Sequence, residues 1–313
     1  MRFGKVLAGY GLILLLYLVV LLMADKSKGF FEYGPVALAQ LPVLMSLALL
    51  SFALRYLRCY WLLKWSGQSS PAVAGWWAYL SGFALTATPG KVGELLRIRY
   101  FSRLGVSADR VMAAFVFERA LDLIVVFALA AIVIADVGMF WLAASFVSFF
   151  LVALVVSGLY PEILRQLSVF CARKQWMRLF RLFDFLAKVL HGCRLWIKPW
   201  PMAISLMLGV AAWSLTSFAF VYLLDRLNIQ MPWLAAFSTY PMAMLAGAAS
   251  MLPGGVGSTE AAIVLQLKWN GVDTSAALLV AVVIRLGTMW FSVFCGFAAI
   301  LFQEIQFARK AVL

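Results

Sequence analysis

Apolar residues in this chain come in long blocks, not in the alternating or one-faced patterns of a soluble fold. Blocks at about 6–23, 36–54, 109–135, 138–158, 201–224 and 275–302 reach or approach the roughly 18–20 residues that cross a bilayer as helix. Two further stretches, about 71–103 and 233–268, are too long for one crossing and are interrupted at Thr88-Pro89-Gly90 and at Pro253-Gly254-Gly255. Proline removes a backbone donor and glycine tolerates unusual backbone angles, so both phrases stop a helix. The pattern predicts an all-α polytopic membrane protein with six transmembrane helices and two re-entrant helical hairpins.

The interrupting phrase occurs twice. Pro89-Gly90-Lys91-Val92-Gly93-Glu94 returns as Pro253-Gly254-Gly255-Val256-Gly257-Ser258-Thr259-Glu260, with a two-residue gap before the glutamate. Beyond that gap Glu94 aligns with Glu260, Gly105 with Gly271, Val106 with Val272 and Arg119 with Arg285, each pair 166 positions apart. Paired interruptions in corresponding positions of two halves point to a transporter's binding site.

Composition agrees: 65% of residues are hydrophobic, 12% are charged, and mean hydropathy is +0.97. No stretch is long or polar enough for a separate soluble domain. Residues 1–313 are therefore read as one membrane domain, with repeat one at about 36–135 and repeat two at about 201–302. Between them lie the fourth crossing and a linker, about 138–198. The first block follows Met1-Arg2-Phe3-Gly4-Lys5, as in a signal peptide. Its apolar core is too long for one, and no small-x-small site precedes Asp25-Lys26, so a retained helix is expected.

The net charge of +13 is unevenly placed and sets the orientation. The stretch 162–198 is rich in Arg and Lys and belongs in the cytoplasm by the positive-inside rule, as do both termini. Arg55, Arg58 and Lys64, at the exit of the second crossing, agree. The segment 71–103 has basic residues on both flanks, so it should enter, turn and leave on the cytoplasmic side. The segment 233–268 should dip in from the opposite face. The two halves are then inverted repeats about an axis in the membrane plane. The alternative, in which both hairpins cross fully, restores parallel repeats. Within the linker, Trp176, Leu179, Phe180, Phe183, Leu186 and Leu190 fall at helical spacing, which predicts an amphipathic helix in the cytoplasmic interface. Its readings are an anchor to anionic lipid or a docking site for a partner enzyme.

The chemistry expected is narrow. Cys59, Cys171, Cys193 and Cys295 form no C-x-x-C pair, and His191 is the one histidine. That set supplies neither a usual metal site nor a Ser-His-Asp triad, so no metal and no cofactor are expected. The helix after each break presents free N–H groups and a positive dipole end, which suit an anion. Glu94 and Glu260 are placed in the first turn of those helices, as caps, as proton carriers or as contacts to a cationic group. Glu118, Arg119 and Asp122 interrupt an apolar run, with Arg119 roughly 15 Å along it. Arg285 lies at similar depth. Ionised groups there are costly, so they face the interior, as a buried ion-pair network, a substrate site, or both. Lys91, Arg97, Arg99, Arg119 and Arg285 form a mostly cationic set that favours phosphate. Arg55 and Arg58 either extend that set or serve as positive-inside anchors.

At these residues the chain resembles the lysylphosphatidylglycerol synthetase transmembrane, or flippase-like, family. The resemblance rests on Arg55-x-x-Arg58, Pro89-Gly90-Lys91-x-Gly93-Glu94 with Arg97, Glu118-Arg119-x-x-Asp122, and Pro253-Gly254-Gly255-x-Gly257 with Glu260. It covers nearly the whole chain. In the bifunctional multiple peptide resistance proteins this domain moves aminoacylated phosphatidylglycerol between leaflets. The chain departs from those proteins by ending at Leu313 without a soluble aminoacyltransferase domain, so synthesis of lysylphosphatidylglycerol is not expected of it.

The resemblance implies a non-enzymatic lipid translocator of the bacterial cytoplasmic membrane. Its cargo would be a phosphate-bearing or polyprenyl-phosphate-linked lipid, and its partners membrane lipids and lipid-modifying enzymes rather than nucleic acid. The alternatives are a membrane-embedded transferase with Glu118 or Asp122 as base, and a scaffold for envelope-lipid enzymes.

Overall fold

The computed structural model describes residues 29–86, 88–132 and 161–312, with isolated helical positions between 141 and 152. The predicted crossings at 6–23 and 138–158 lie outside the described residues, those isolated positions apart. The described chain is all helix. The first half of the described chain comprises α1 (Gly29–Ala39), α2 (Leu41–Trp65), α3 (Ala72–Ser81), two 3-10 segments (Gly82–Leu85 and Pro89–Leu96), α4 (Arg97–Arg103) and α5 (Ala108–Ala131). The linker forms α6 (Pro161–Arg173) and α7 (Met177–Cys193). The second half comprises α8 (Pro199–Arg226), α9 (Trp233–Ala249), a 3-10 turn (Pro253–Gly255), α10 (Ser258–Trp269) and α11 (Thr274–Arg285). A π-helical turn (Leu286–Trp290) then leads into α12 (Phe291–Val312).

Among the described residues, three helical segments are long and apolar enough to cross a membrane: Gly34–Trp65, Pro199–Arg226 and Thr274–Arg309. Helix α5 has the length, at 24 residues, but carries Glu118, Arg119 and Asp122 in its middle. The boundaries follow local chemistry. Proline sits in the first turn of both α2 and α8, where its missing N–H costs nothing. Asp273 caps α11 by accepting from the Ser275 backbone N–H at 2.8 Å.

One predicted end is displaced. The second crossing was expected to stop near residue 54, with Arg55 and Arg58 at the water boundary. Instead α2 runs on to Trp65, and both arginines are buried inside the protein. The linker holds two helices: the amphipathic helix expected over 176–190 is α7, and α6 precedes it. The chain reverses at Lys174-Gln175-Trp176, with Gln175 in the left-handed region (φ 57°), and α6 packs on α7. Helix α7 in turn docks on α5, where Val189 and Cys193 join the core and Gly192 lies against Ala113. Just beyond it, the buried Trp196 indole donates to the Leu62 carbonyl at 3.0 Å.

Helices α2 and α8, which head the corresponding parts of the two repeats, run antiparallel. Tyr222 pairs with Gln40, the Ala212 carbonyl with Ser51, and the Ser205 carbonyl with Arg58, so one index falls as the other rises. Two apolar clusters form the core. One centres on α2, the first hairpin and α5, and takes in Ala299 and Ile300 of α12. The other centres on α8 to α11 and takes in Ala37 and Leu44 from the start of the chain. Each half therefore lends a helix to the other, and the two breaks come to lie at their shared boundary.

Candidate functional site

The site grows from the two broken segments. In the first, Thr88 opens the 3-10 segment Pro89–Leu96 and its hydroxyl accepts from the Gly93 N–H at 2.7 Å. Gly93 packs directly on the Leu85 carbonyl, leaving no room for a β-carbon. In the second, Gly254 and Gly255 adopt φ of 63° and 64°, and Gly255 presses against Gly247 and the Thr259 hydroxyl. The 3-10 segments of the two breaks touch one another.

The first hairpin also closes at its base. Gln68, just before α3, accepts through Oε1 from the Ser107 N–H just after α4, at 3.0 Å. In the second hairpin the two arms are bonded further along: Gln266 of α10 donates to the Thr239 carbonyl, two turns into α9, at 3.4 Å.

Charge converges behind the first break. Asp122 accepts from Arg55 at 3.2 Å, Arg58 at 2.8 Å and Arg119 at 2.9 Å. Glu118 is wholly buried and pairs with Arg97 at 3.1 Å, with Arg58 at 3.9 Å. Glu94 accepts from the Thr86 hydroxyl at 2.8 Å and stands 3.9 Å from Arg119. Gly209 of α8 faces Arg58 and Asp122, where a side chain would collide with the guanidinium.

The second break carries a simpler pair. Arg285 donates through Nε to Glu260 at 2.7 Å and through a terminal nitrogen to the Gly254 carbonyl at 2.5 Å. The other carboxylate oxygen of Glu260 accepts from the Gly257 N–H at 2.6 Å, capping α10.

The two repeats thus share one arrangement. In each, the glutamate after the break pairs with the arginine of the next long helix: Glu94 with Arg119, Glu260 with Arg285. The first pair is looser because Asp122 draws Arg119 away. Thr288, 166 positions later, takes the place of Asp122 in repeat two and bonds instead to Tyr240 at 3.0 Å and back to the Ile284 carbonyl.

Two cavities lie against these groups. One, of about 210 Å³, is lined by Arg119, Asp122, Trp213, Met244, the second break and apolar side chains including Leu123 and Leu252. The other, of about 100 Å³, lies deeper among Ser51, Arg55, Glu94, Thr216, Arg285 and Thr288. Arg119 and Arg285, corresponding residues of the two repeats, both line the inner cavity.

Over residues 6–296 the chain matches the family described as the lysylphosphatidylglycerol synthase TM region. The chain belongs to this family. No curated protein matches it. As a member of the lysylphosphatidylglycerol synthase transmembrane family, it is a multi-pass helical membrane protein of a lipid-handling kind. Among the described residues no group of three or more His, Cys, Asp or Glu is placed to hold a metal ion.

In this family member the motif residues divide into those that gather and those that do not. Arg55, Arg58, Glu94, Glu118, Arg119 and Asp122 join one buried network, with Arg97 at its edge. Glu260 and Arg285 form the second group. Arg55 and Arg58 are not boundary anchors: both are committed to Asp122. Arg97 lines neither cavity; its guanidinium sits between the rings of Tyr79 and Phe115. Arg99 does not belong to the set either, since it points out to Glu304 at 3.4 Å. Glu94 is not in the first turn of an α-helix; it lies in the 3-10 segment that precedes α4. Glu260 is in a first turn and does cap it. The side chains of Pro89, Gly90 and Lys91 lie outside the described residues.

Three contributors escaped the pattern reading: Trp213, Met244 and Thr259. Trp213 lies beneath the Arg55 guanidinium at 4.5 Å and lines both cavities. The signal available was weak: the run Trp213-Ser214-Leu215-Thr216-Ser217 puts hydroxyls in the middle of an apolar crossing.

Proposed function

We propose that this protein is a lipid translocator. The head group of a phosphate-bearing lipid would pass through the polar seam between two inverted repeats while its tails stay in the bilayer. The observation that carries the reading is the mirrored pair. Two arginines related by the internal repeat, each facing the glutamate of its own break (Arg119 at 3.9 Å from Glu94, Arg285 at 2.7 Å from Glu260), border one interior cavity where the breaks meet. Buried guanidiniums beside interrupted helices form an environment suited to a phosphate oxygen.

The topology proposed with it has six crossings and two re-entrant hairpins in one domain over residues 1–313, with both termini cytoplasmic in the inner membrane. The closed base of the first hairpin, Gln68 with Ser107, and the bonded arms of the second, Thr239 with Gln266, support entry and exit on one side. The antiparallel course of α2 and α8 supports inversion, because repeats related by an axis along the membrane normal would run parallel. In this reading Arg119 and Arg285 attract the phosphate, with Lys91 beside the first break, and Glu94 and Glu260 release or retake the arginines as cargo passes. The transferase alternative needs Glu118 or Asp122 as a base. Asp122 is bound by three arginines, and Glu118 is fully enclosed, so neither is free to take a proton from a substrate.

The test is reconstitution. Proteoliposomes holding the protein should move a fluorescent anionic phospholipid or a polyprenyl phosphate between leaflets. Arg285→Gln should reduce the rate at least about tenfold, the loss expected from some 1.4 kcal/mol of missing charge contact. Wild-type protein that moves neither lipid would refute the reading.

A further inference from the structure

The two cavities share a wall. Arg119, Trp213, Met244 and Gly254 line both. The outer cavity reaches the surface at Ala248, Met251 and Leu252, which are exposed among the described residues. In the inner one, every lining residue is buried except Arg119, Met244 and Gly254, all three of which belong to that wall. Among the described residues, these three are the part of the inner chamber's lining that reaches the surface most. Neither cavity alone attains the roughly 300 Å³ at which ligand pockets begin, and joined they do.

We infer that this wall is a selectivity partition, and that Met244 is its movable leaf, deciding which head groups pass from the outer vestibule to the inner chamber. Three of its members are fixed. Arg119 is tied to Asp122 at 2.9 Å. Trp213 is pinned under Arg55, itself held by Asp122. The Gly254 carbonyl is bound by Arg285. Among the described residues, the one polar contact of Met244 is from Arg285 to its sulfur at 3.9 Å, and its other neighbours are apolar, at the edge of two clusters. An unbranched thioether with three rotatable bonds can swing aside with little loss of contact. Swinging it would expose Arg285 to the vestibule and place both mirrored arginines in one continuous space. The inference deepens the translocator reading and rests on it for its meaning, but its test does not need transport.

That test is thiol labelling in lipid nanodiscs, where both faces are accessible. Cys59, Cys171 and Cys193 are buried, so Cys295→Ala supplies the background. Ser292→Cys probes the inner chamber and Leu123→Cys the vestibule, with Thr216→Cys as a second inner probe on another helix. Reaction of an enclosed thiol follows the fraction of time its enclosure is open, so the inner thiol should react roughly tenfold or more slowly than the outer one with a small charged methanethiosulfonate. Adding Met244→Ala should raise the inner rate by about the same factor and leave the outer rate unchanged, and Met244→Trp should not raise it. Inner labelling as fast as outer labelling with Met244 intact, or unmoved by Met244→Ala at both inner probes, overturns the partition. Gated labelling in a protein that moves no lipid would overturn the translocator reading and leave the partition standing.

Discussion

Asp122 accepts from Arg55, Arg58 and Arg119, and the first two of these guanidiniums are almost closed off from solvent. A buried charge that loses its partner costs about 3–5 kcal/mol, far more than an exposed one. Asp122→Ala strips a partner from three arginines at once. Arg55→Ala leaves Asp122 with two arginines. Thermal unfolding in detergent should therefore show a much larger fall for Asp122→Ala than for Arg55→Ala; equal falls would mean the cluster is not one network. Glu260 separates two roles in the same way. Glutamine can still accept from the Gly257 N–H as a cap but cannot hold Arg285 by charge. Glu260→Gln should lower the melting temperature less than Glu260→Ala, because the cap survives while the buried Arg285 loses its counter-charge in both, and both variants should lose translocation. At this scale the sequence was half legible. Intramembrane charges announce themselves by their cost. Their partners do not: Arg58 and Asp122 are 64 positions apart, and an arginine near a helix end reads as a boundary anchor until its carboxylate is seen.

The breaks belong to the scale of the element. Gly93 has the Leu85 carbonyl where a β-carbon would go, and Gly255 combines positive φ with the press of Thr259 and Gly247. Alanine at Gly255 meets both a left-handed backbone, worth roughly 1–2 kcal/mol, and a collision. Gly93→Ala and Gly255→Ala should each lower yield and melting temperature, while Gly105→Ala, in a turn with open space around it, should bear only the backbone penalty. Equal losses at all three would show that crowding at the breaks is unimportant. These phrases were readable because Pro and Gly act locally and because they recur at a fixed spacing. The α6–α7 reversal was not, since Lys174-Gln175-Trp176 contains neither residue. Trp213 and Met244 were hidden for another reason: an apolar side chain in an apolar helix gives no sign of whether it faces lipid or a cavity.

For the molecule as a whole, the account depends on geometry more than on any one contact. Each repeat packs a helix of the other into its core, so the two halves cannot separate without exposing apolar surface. The charged seam lies where they meet, and its asymmetry has a simple basis. Repeat one carries Glu118 and Asp122, where repeat two has Ile284 and Thr288, so one side is a dense network and the other a single pair. A passage of this kind works only if the two breaks come from opposite faces of the membrane. The sidedness of the hairpin bases measures that directly. Single cysteines at Gln68 and Ser107, and at Ile229 and Asn270, would be labelled in sealed proteoliposomes with an impermeant thiol reagent applied from one side. The account predicts that Gln68 and Ser107 label together from one face and Ile229 and Asn270 together from the other. Gln68 and Ser107 on opposite faces, or all four on the same face, would contradict it.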